Sequence, residues 1–513
     1  RTMAMQRLSD KTLRTVPAHI VRPLYDRSSL PTRIVHLGAG AFHRSHQSIY
    51  TDDVMQSGHS PWGTLGVSWH NPALGQVLAP QDGLYTVLVN DNGTKTARVV
   101  GSMNKVVCLA DARQQVLNHL ISSKTEIVSL TITEQGYCYD SRQQTLNDSL
   151  PMIHADIAEP WNARSAVGLL AWAIFERKKS GAKPFTLLSC DNLPANGKVL
   201  QRVLERYIER VQADLNDTDL LQYFLDQYAC PCTLVDRITP PATAADIFDV
   251  EEILGMHDAA PVVAEPFSQW VIQDWFSAGR PEWESAGVTM ATSVDPFEEM
   301  RSRLLNAGYL AIAYLGGLAG FKTVASAMQN PEIARFISIF IDDAVVTLNK
   351  HTRVKVGGYK QAILKRFGNT LLNQSTAQLA VNGSQKLPEL ILKPLQSRLS
   401  QGLPIDHHAM VVAAWIRYLM GRNELQENLE MQDPLLAPMT QAIGRAGLNT
   451  RSLVGALVNF REIFGADLPD DPLFIRSVTL ALQSLRAEGV IASLEEVNCV
   501  SPVPEKKHLL SRI

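Results

Sequence analysis

The run Arg33-Ile-Val-His-Leu37 stops abruptly at Gly38-Ala39-Gly40, and a helix-compatible segment, Ala41-Phe-His-Arg-Ser-His-Gln47, follows. No other junction in the 513-residue chain limits the fold as much. A short apolar strand ending on paired glycines lets the backbone turn tightly and approach a pyrophosphate, with helix N–H groups next in line. The third glycine usual in such turns is absent, because His43 occupies its place. A second strand is expected beside the first, ending near an adenosine ribose, and Thr64-Leu-Gly-Val-Ser68 fits. Its end reads Ser68-Trp-His-Asn71, without the acid that commonly binds the ribose hydroxyls, so NAD and NADP both remain open. His43 and His46 have no carboxylate or third histidine at ligand spacing. They read as cofactor or core contacts, and no metal is expected.

The first half continues to alternate. Leu84–Val89 and Lys95–Val100 flank Asp91-Asn-Gly93, a hairpin signal. Ile127–Ile132 and Phe185–Ser189 read as buried strands. Between them Val167, Leu170, Ala171 and Ile174 recur at helical spacing, and Gly181 follows. Beyond about residue 295 the strand signals fade. Helices are expected over Glu298–Ala319, Glu332–Leu348, Met410–Met420 and Phe474–Ala487. The expected fold is α/β: an N-terminal Rossmann-like doubly wound sheet over residues 1–290, then a mainly α-helical substrate-binding domain over 291–513. A cleft between two such domains is a natural place for a small ligand.

Composition narrows the classes. A net charge of −3 argues against nucleic acid as a partner. The longest apolar run, Tyr309–Phe321, has 13 residues, too few to span a bilayer, so no membrane association is expected. Arg1–Asp10 lacks the apolar core of a secretory signal. The six cysteines are scattered, as in a reducing compartment, and Cys230-Pro-Cys232 has no second pair to complete a zinc site. A cytoplasmic protein is expected.

The stretch Arg33–Gln47 resembles the opening motif of the mannitol dehydrogenase family of polyol-specific long-chain dehydrogenases. Further resemblances follow in order: Ile127–Tyr137, Ser189–Gly197, Val235–Pro240, Glu265–Ile272, Pro296–Asn306 and Asn382–Pro388. Together they cover roughly residues 25 to 490. The resemblance implies a metal-independent dehydrogenase that interconverts a secondary alcohol and a ketone on a sugar acid or hexitol, with NAD or NADP as hydride carrier. It also implies a monomer or small homo-oligomer. The fructuronate reductase branch looks nearest: Gln378 stands where mannitol dehydrogenases carry Arg, eight residues before the shared Lys386.

The resemblance also implies roles for individual residues. Gly38, Gly40, Phe42, His43, Arg44, Ser68, Thr133 and Glu134 fall where cofactor contacts are expected. Asn196 and Asn306 match two asparagines that stabilise the reacting oxygen. Asp236, Lys386 and Gln378 match substrate-binding positions, and Glu298 matches a glutamate on the proton path. The base position departs from the family. Where the pattern is Lys-x-Arg-x-x-Asn-x-x-His, this chain reads Arg301-Ser-Arg-Leu-Leu-Asn306-Ala-Gly-Tyr309.

A guanidinium stays protonated, so Arg301 can donate to an alkoxide or carbonyl oxygen but cannot accept a proton. On an α-helix, positions 301, 306 and 309 fall at about 0°, 140° and 80°, one broad face. Tyr309 beside a fixed cation then becomes a candidate acid or base. The alternative is a relative that binds dinucleotide and sugar acid without efficient turnover.

Overall fold

The structure is a computed structural model, and it describes residues 4–499. The chain divides into two compact units, Arg1–Val294 and Asp295–Ile513.

The first unit is built on five strands: β1 (Thr32–Leu37), β2 (Gly63–Ser68), β3 (Met103–Cys108), β4 (Ile127–Leu130) and β5 (Thr186–Ser189). They form one parallel sheet in the order β3-β2-β1-β4-β5. Leu37 lies between Val67 and Leu130 in register. The central strands read as nearly continuous apolar runs because both faces are covered, one by helices and the other by Gln47–Gln56 together with Val235, Trp270, Ile272 and Trp283. One cover is Asn196–Val211, which turns Val199, Leu200, Val203, Leu204, Tyr207 and Ile208 into the core at helical spacing. Another is Ala166–Ser180, where Ser165 caps the start by accepting from Gly168 N–H and Gly181 ends the helix at φ 72°. The strand order reverses across β1, since β2 lies on one side and β4 on the other. The crevice beyond the carboxyl ends of these strands is the usual ligand position in such sheets.

Three smaller sheets complete this unit, the smallest a pair of two-residue strands, Tyr139–Asp140 and Thr145–Leu146. Tyr85–Asp91 and Thr94–Val100 form the expected hairpin, and Asn92 and Gly93 both take positive φ (50° and 100°), as a two-residue mirror-image turn requires. Val262–Ala264 joins it in parallel. In the remaining sheet β6 (Thr233–Asp236) pairs antiparallel with Gln269–Gln273.

The second unit is helical, with no strand among its described residues beyond isolated bridges such as Thr323–Ser375. Ala307–Ala319 is buried on nearly every side. Its Gly316 and Gly317 bring Ala327 and Tyr418 close to the backbone. Pro331–Val345, Asp406–Leu419 and Pro472–Glu488 lie where the periodicity places them. The segment from 298 to 319 is not α-helical throughout. Asp295–Met300 is α, Arg301–Asn306 is a π-helix with i→i+5 bonds, and α geometry resumes at Ala307. Among the described residues no helix is long and apolar enough to cross a membrane.

Several histidines are buried without charge. His36 bonds Ser129 Oγ (2.7 Å) and Thr131 Oγ1 (2.8 Å), and burial pulls it down to about 3. His46 donates to the Gln269 carbonyl (2.7 Å) and also falls to about 3. In the second unit burial takes His407 to about 4 and His408, stacked on Phe340 at 4.3 Å, to about 3. All four folded values lie below the unfolded 6.5. Their contribution is therefore complete above about pH 6.5 and is lost as pH falls toward 4–3. Each histidine that stays neutral contributes a slope of about 1.4 kcal/mol per pH unit. Asp343, raised by burial to about 6, opposes this, as do Asp52 and Asp191, which burial shifts in the same direction. Urea melts at pH 7.5, 6.5, 5.5 and 4.5 are expected to lose stability progressively below pH 6.5. A flat profile down to 4.5 would contradict the buried neutral imidazoles.

Candidate functional site

In the first unit the glycine turn sits at the carboxyl end of β1. Gly38 N–H (2.8 Å) and Ala39 N–H (3.0 Å) both donate to the Val67 carbonyl at the end of β2. Gly38 takes φ +89°, and a Cβ there would lie 2.1 Å from the Thr131 carbonyl oxygen. Thr131 Oγ1 donates to the Gly38 carbonyl (2.9 Å). The turn is thus held between β2 and the segment leaving β4. Gly40 is different. Its backbone is extended (φ −153°), and a Cβ would meet only the Gly38 carbonyl, at 3.9 Å. Neither strain nor packing inside the unit requires glycine there, whereas close approach of a phosphate would.

The neighbouring side chains divide by direction. Phe42 is half-buried, stacked on His46 at 5.0 Å. His43 is buried and stacked on His36 at 3.5 Å. Arg44 is also buried, donating to the Ala260 carbonyl (2.6 Å) above the Tyr85 ring. His43 and Arg44 therefore face inward and serve as supports beneath the turn. At the end of β2, Ser68 Oγ donates to the Asn71 carbonyl (2.9 Å). Thr133 and Glu134 are exposed beyond β4.

Thr133 has φ 64° and ψ 164°, a region open essentially to glycine, and holding a β-branched residue there costs on the order of 1–3 kcal/mol. Asp191, just beyond β5, accepts from Ile132 N–H and Thr133 N–H (3.0 Å each) and from Tyr137 Oη (2.5 Å). Asp191 and Tyr137 lie inside the quoted sequence motifs, yet only the structure singles them out. Burial raises the Asp191 carboxyl above its usual range, and the bonds from Tyr137, Ile132 and Thr133 pull it back.

Asn196 is fully buried. Its Nδ2 faces the carbonyls of Ser189 (3.2 Å) and Asp191 (3.1 Å) and Thr233 Oγ1 (3.0 Å). Its Oδ1 accepts from Gly197 N–H (2.8 Å) and Thr233 N–H (2.9 Å). Two hydrogens and two lone pairs are thereby committed to tying β5, β6 and a helix start together. An oxyanion role for this amide requires exchange of one of these bonds. Asp236 is buried at the end of β6.

In the second unit the π-helix carries the departure from the family pattern. A π-turn of about 4.4 residues advances about 80° per residue. Arg301, Asn306 and Tyr309 then fall within an arc of about 60°, narrower than the 140° of an ideal α-helix. Arg301 is half-buried, Asn306 exposed, and Tyr309 buried with its ring edge-on to Phe367 at 4.7 Å. Arg303 points away, donating to the Thr347 carbonyl (2.6 Å). Glu298 is half-buried in the preceding α-helical turn.

Lys386 lies on Gly383–Leu387, directly before a second π-helix, Pro388–Leu392, which packs on the first. That short helix is held firmly: a Cβ on Gly383 would meet Tyr314 Oη at 2.3 Å, and Ser384 N–H donates to Asp433 (2.8 Å). Lys386 Nζ donates to the Leu379 carbonyl (3.0 Å), and burial lowers its pKa from 10.5. Gln378 is exposed. π-helices are rare and often occur at functional sites.

A Mannitol dehydrogenase Rossmann domain model matches residues 32–285, and a Mannitol dehydrogenase C-terminal domain model matches residues 293–486. The chain belongs to the mannitol dehydrogenase family. It is 38% identical to the uncharacterized oxidoreductase YdfI of Escherichia coli, over 92% of this chain and 96% of that relative. It is 35% identical to the D-mannonate oxidoreductase of E. coli, again over 92% and 96%. Among solved structures it resembles Pseudomonas fluorescens mannitol 2-dehydrogenase in its ternary complex with NAD and D-mannitol. There the TM-score is 0.70 and the identity 32%, covering 96% of this chain and 99% of that one. This family member is accordingly an oxidoreductase, with a Rossmann-like parallel sheet followed by helices.

The two glycines should separate in a melting experiment. Gly38→Ala is expected to lose about 2–4 kcal/mol, since the new methyl has to displace a backbone carbonyl at positive φ. Gly40→Ala should melt within about 1 kcal/mol of the parent.

Proposed function

We propose that this chain is an NAD(P)-dependent oxidoreductase that interconverts a secondary alcohol and a ketone on a sugar acid or hexitol, without a metal. The observation that carries the reading is Gly40, an extended glycine with no neighbour to clash with, at the mouth of a turn built beside the switch in strand order. The bound dinucleotide would supply the hydride acceptor or donor. Gly38–Gly40 would hold its pyrophosphate through main-chain groups. Phe42, Ser68, Thr133 and Glu134 would line its path, with His43 and Arg44 fixing the turn from below.

In the helical unit Arg301 and Asn306 supply hydrogen-bond donors to the reacting oxygen. Arg301 is also a permanent cation suited to a carboxylate, which favours a sugar acid. Asp236 in the first unit, and Gln378 and Lys386 in the second, are assigned to substrate binding. Because Arg301 cannot take the proton, Tyr309 is assigned the proton transfer, with Glu298 on the path to solvent. General acid–base catalysis supplies about 10²–10⁴-fold.

One observation favours a second reading, binding without turnover: the general base position holds a group that remains charged. NAD(P)H turnover with fructuronate, mannonate, fructose and mannitol separates the two readings. Turnover of any of them is expected under the first. Cofactor binding with no turnover of any would favour the second. Under the first reading Tyr309→Phe should lower kcat by at least about 10²-fold. Unchanged kcat would remove the phenol from the mechanism.

A further inference from the structure

Asp191 has no role in the reading above, yet it connects two parts of the candidate site. Its carboxylate holds both N–H groups of the Ile132-Thr133 turn, and its own carbonyl faces Asn196 Nδ2 at 3.1 Å. Tyr137 Oη braces the same carboxylate from a fully buried position and also bonds Ser189 Oγ (2.6 Å). Thr133 would not keep φ 64°, ψ 164° by preference, because side-chain-bearing residues are excluded there unless the surroundings hold them. The segment that leads into this turn bonds the Gly38 carbonyl through Thr131 Oγ1 (2.9 Å), so the Thr133 turn begins beside the glycine turn.

We propose that Asp191 is a positioning residue: it clamps the strained Thr133 turn, and with it Asn196, in the arrangement against which the nicotinamide half of the dinucleotide docks. This rests on the dinucleotide reading and names a residue that acts through its neighbours. The clamp and the strain are linked. A glycine in place of Thr133 would occupy the same backbone region without help, so the Thr133→Gly chain would need Asp191 less.

The test is a double-mutant cycle of Asp191→Asn and Thr133→Gly, read by calorimetric Kd for oxidised and reduced dinucleotide, by kcat and KM, and by melting. Asp191→Asn keeps one acceptor oxygen but places an amide donor against an N–H donor. It is expected to weaken dinucleotide binding at least about tenfold and to lower kcat, with a smaller change in the KM of the sugar substrate. Thr133→Gly alone removes whatever side-chain contact Thr133 lends the dinucleotide and sets the reference of the cycle. Against that reference Asp191→Asn should cost at most about threefold in Kd, so most of the affinity it loses in the parent is recovered. Restored affinity separates positioning from general destabilisation, since relieving one dihedral would not repair a loosened fold. If Asp191→Asn melts earlier but binds and turns over as the parent does, the inference is overturned and the dinucleotide reading stands. The same holds if Thr133→Gly restores nothing. A parent protein that binds neither dinucleotide overturns both.

Discussion

A carbonyl oxygen leaves no room for a side chain where β1 ends. Thr131 O lies where a Gly38 Cβ would be, and the Val67 carbonyl receives two N–H groups from the same turn. These contacts draw the ends of β2, β1 and β4 together at the point where the strand order reverses. The features of the first unit that bear on chemistry depend on that closeness: the open edge of Gly40, the inward histidine stack, and the Thr133 turn held by Asp191. Strain at Thr133 is tolerated because three hydrogen bonds converge on one half-buried carboxylate. Strained backbone of this kind survives only when its surroundings determine it fully.

The helical unit meets its own constraint differently. Two π-turns lie side by side, one carrying Arg301 and Asn306, the other directly following Lys386. Each widens the helix locally and shifts the phase of the residues after it. The effect is to gather side chains that an α-helix would spread apart, while Arg303 on the opposite side anchors the first turn to Thr347.

Much of this architecture can be read from residue order, for identifiable reasons. Four of the five parallel strands are apolar runs bounded by glycine or polar turns, whereas Met103–Cys108, interrupted by Asn104 and Lys105, gives no such signal. The hairpin follows from Asn92-Gly93, and the end of Ala166–Ser180 from Gly181. What escapes the pattern is equally specific. Arg301–Asn306 holds no glycine or proline to mark its change of period. Val262–Ala264 has three residues, too few to alternate visibly. The saturation of Asn196 depends on Thr233, 37 positions away. Thr133 at positive φ cannot be anticipated, because a β-branched residue argues against that conformation. The positions of the candidate cofactor turn were legible from Gly38 and Gly40. The inward direction of His43 and Arg44 was not, since it depends on His36 and Ala260 as partners.

The stacked pair His36 and His43 also determines what kind of hold the glycine turn can exert. Both imidazoles are driven toward the neutral form by burial, and Arg44 commits its guanidinium to Ala260. The floor of the turn thus presents amide dipoles rather than titrating side chains. Under the dinucleotide reading, the grip on the pyrophosphate is main-chain in character. Dissolved ions screen exposed charges much more than short, directed hydrogen bonds. Affinity for the carrier would then depend only weakly on ionic strength.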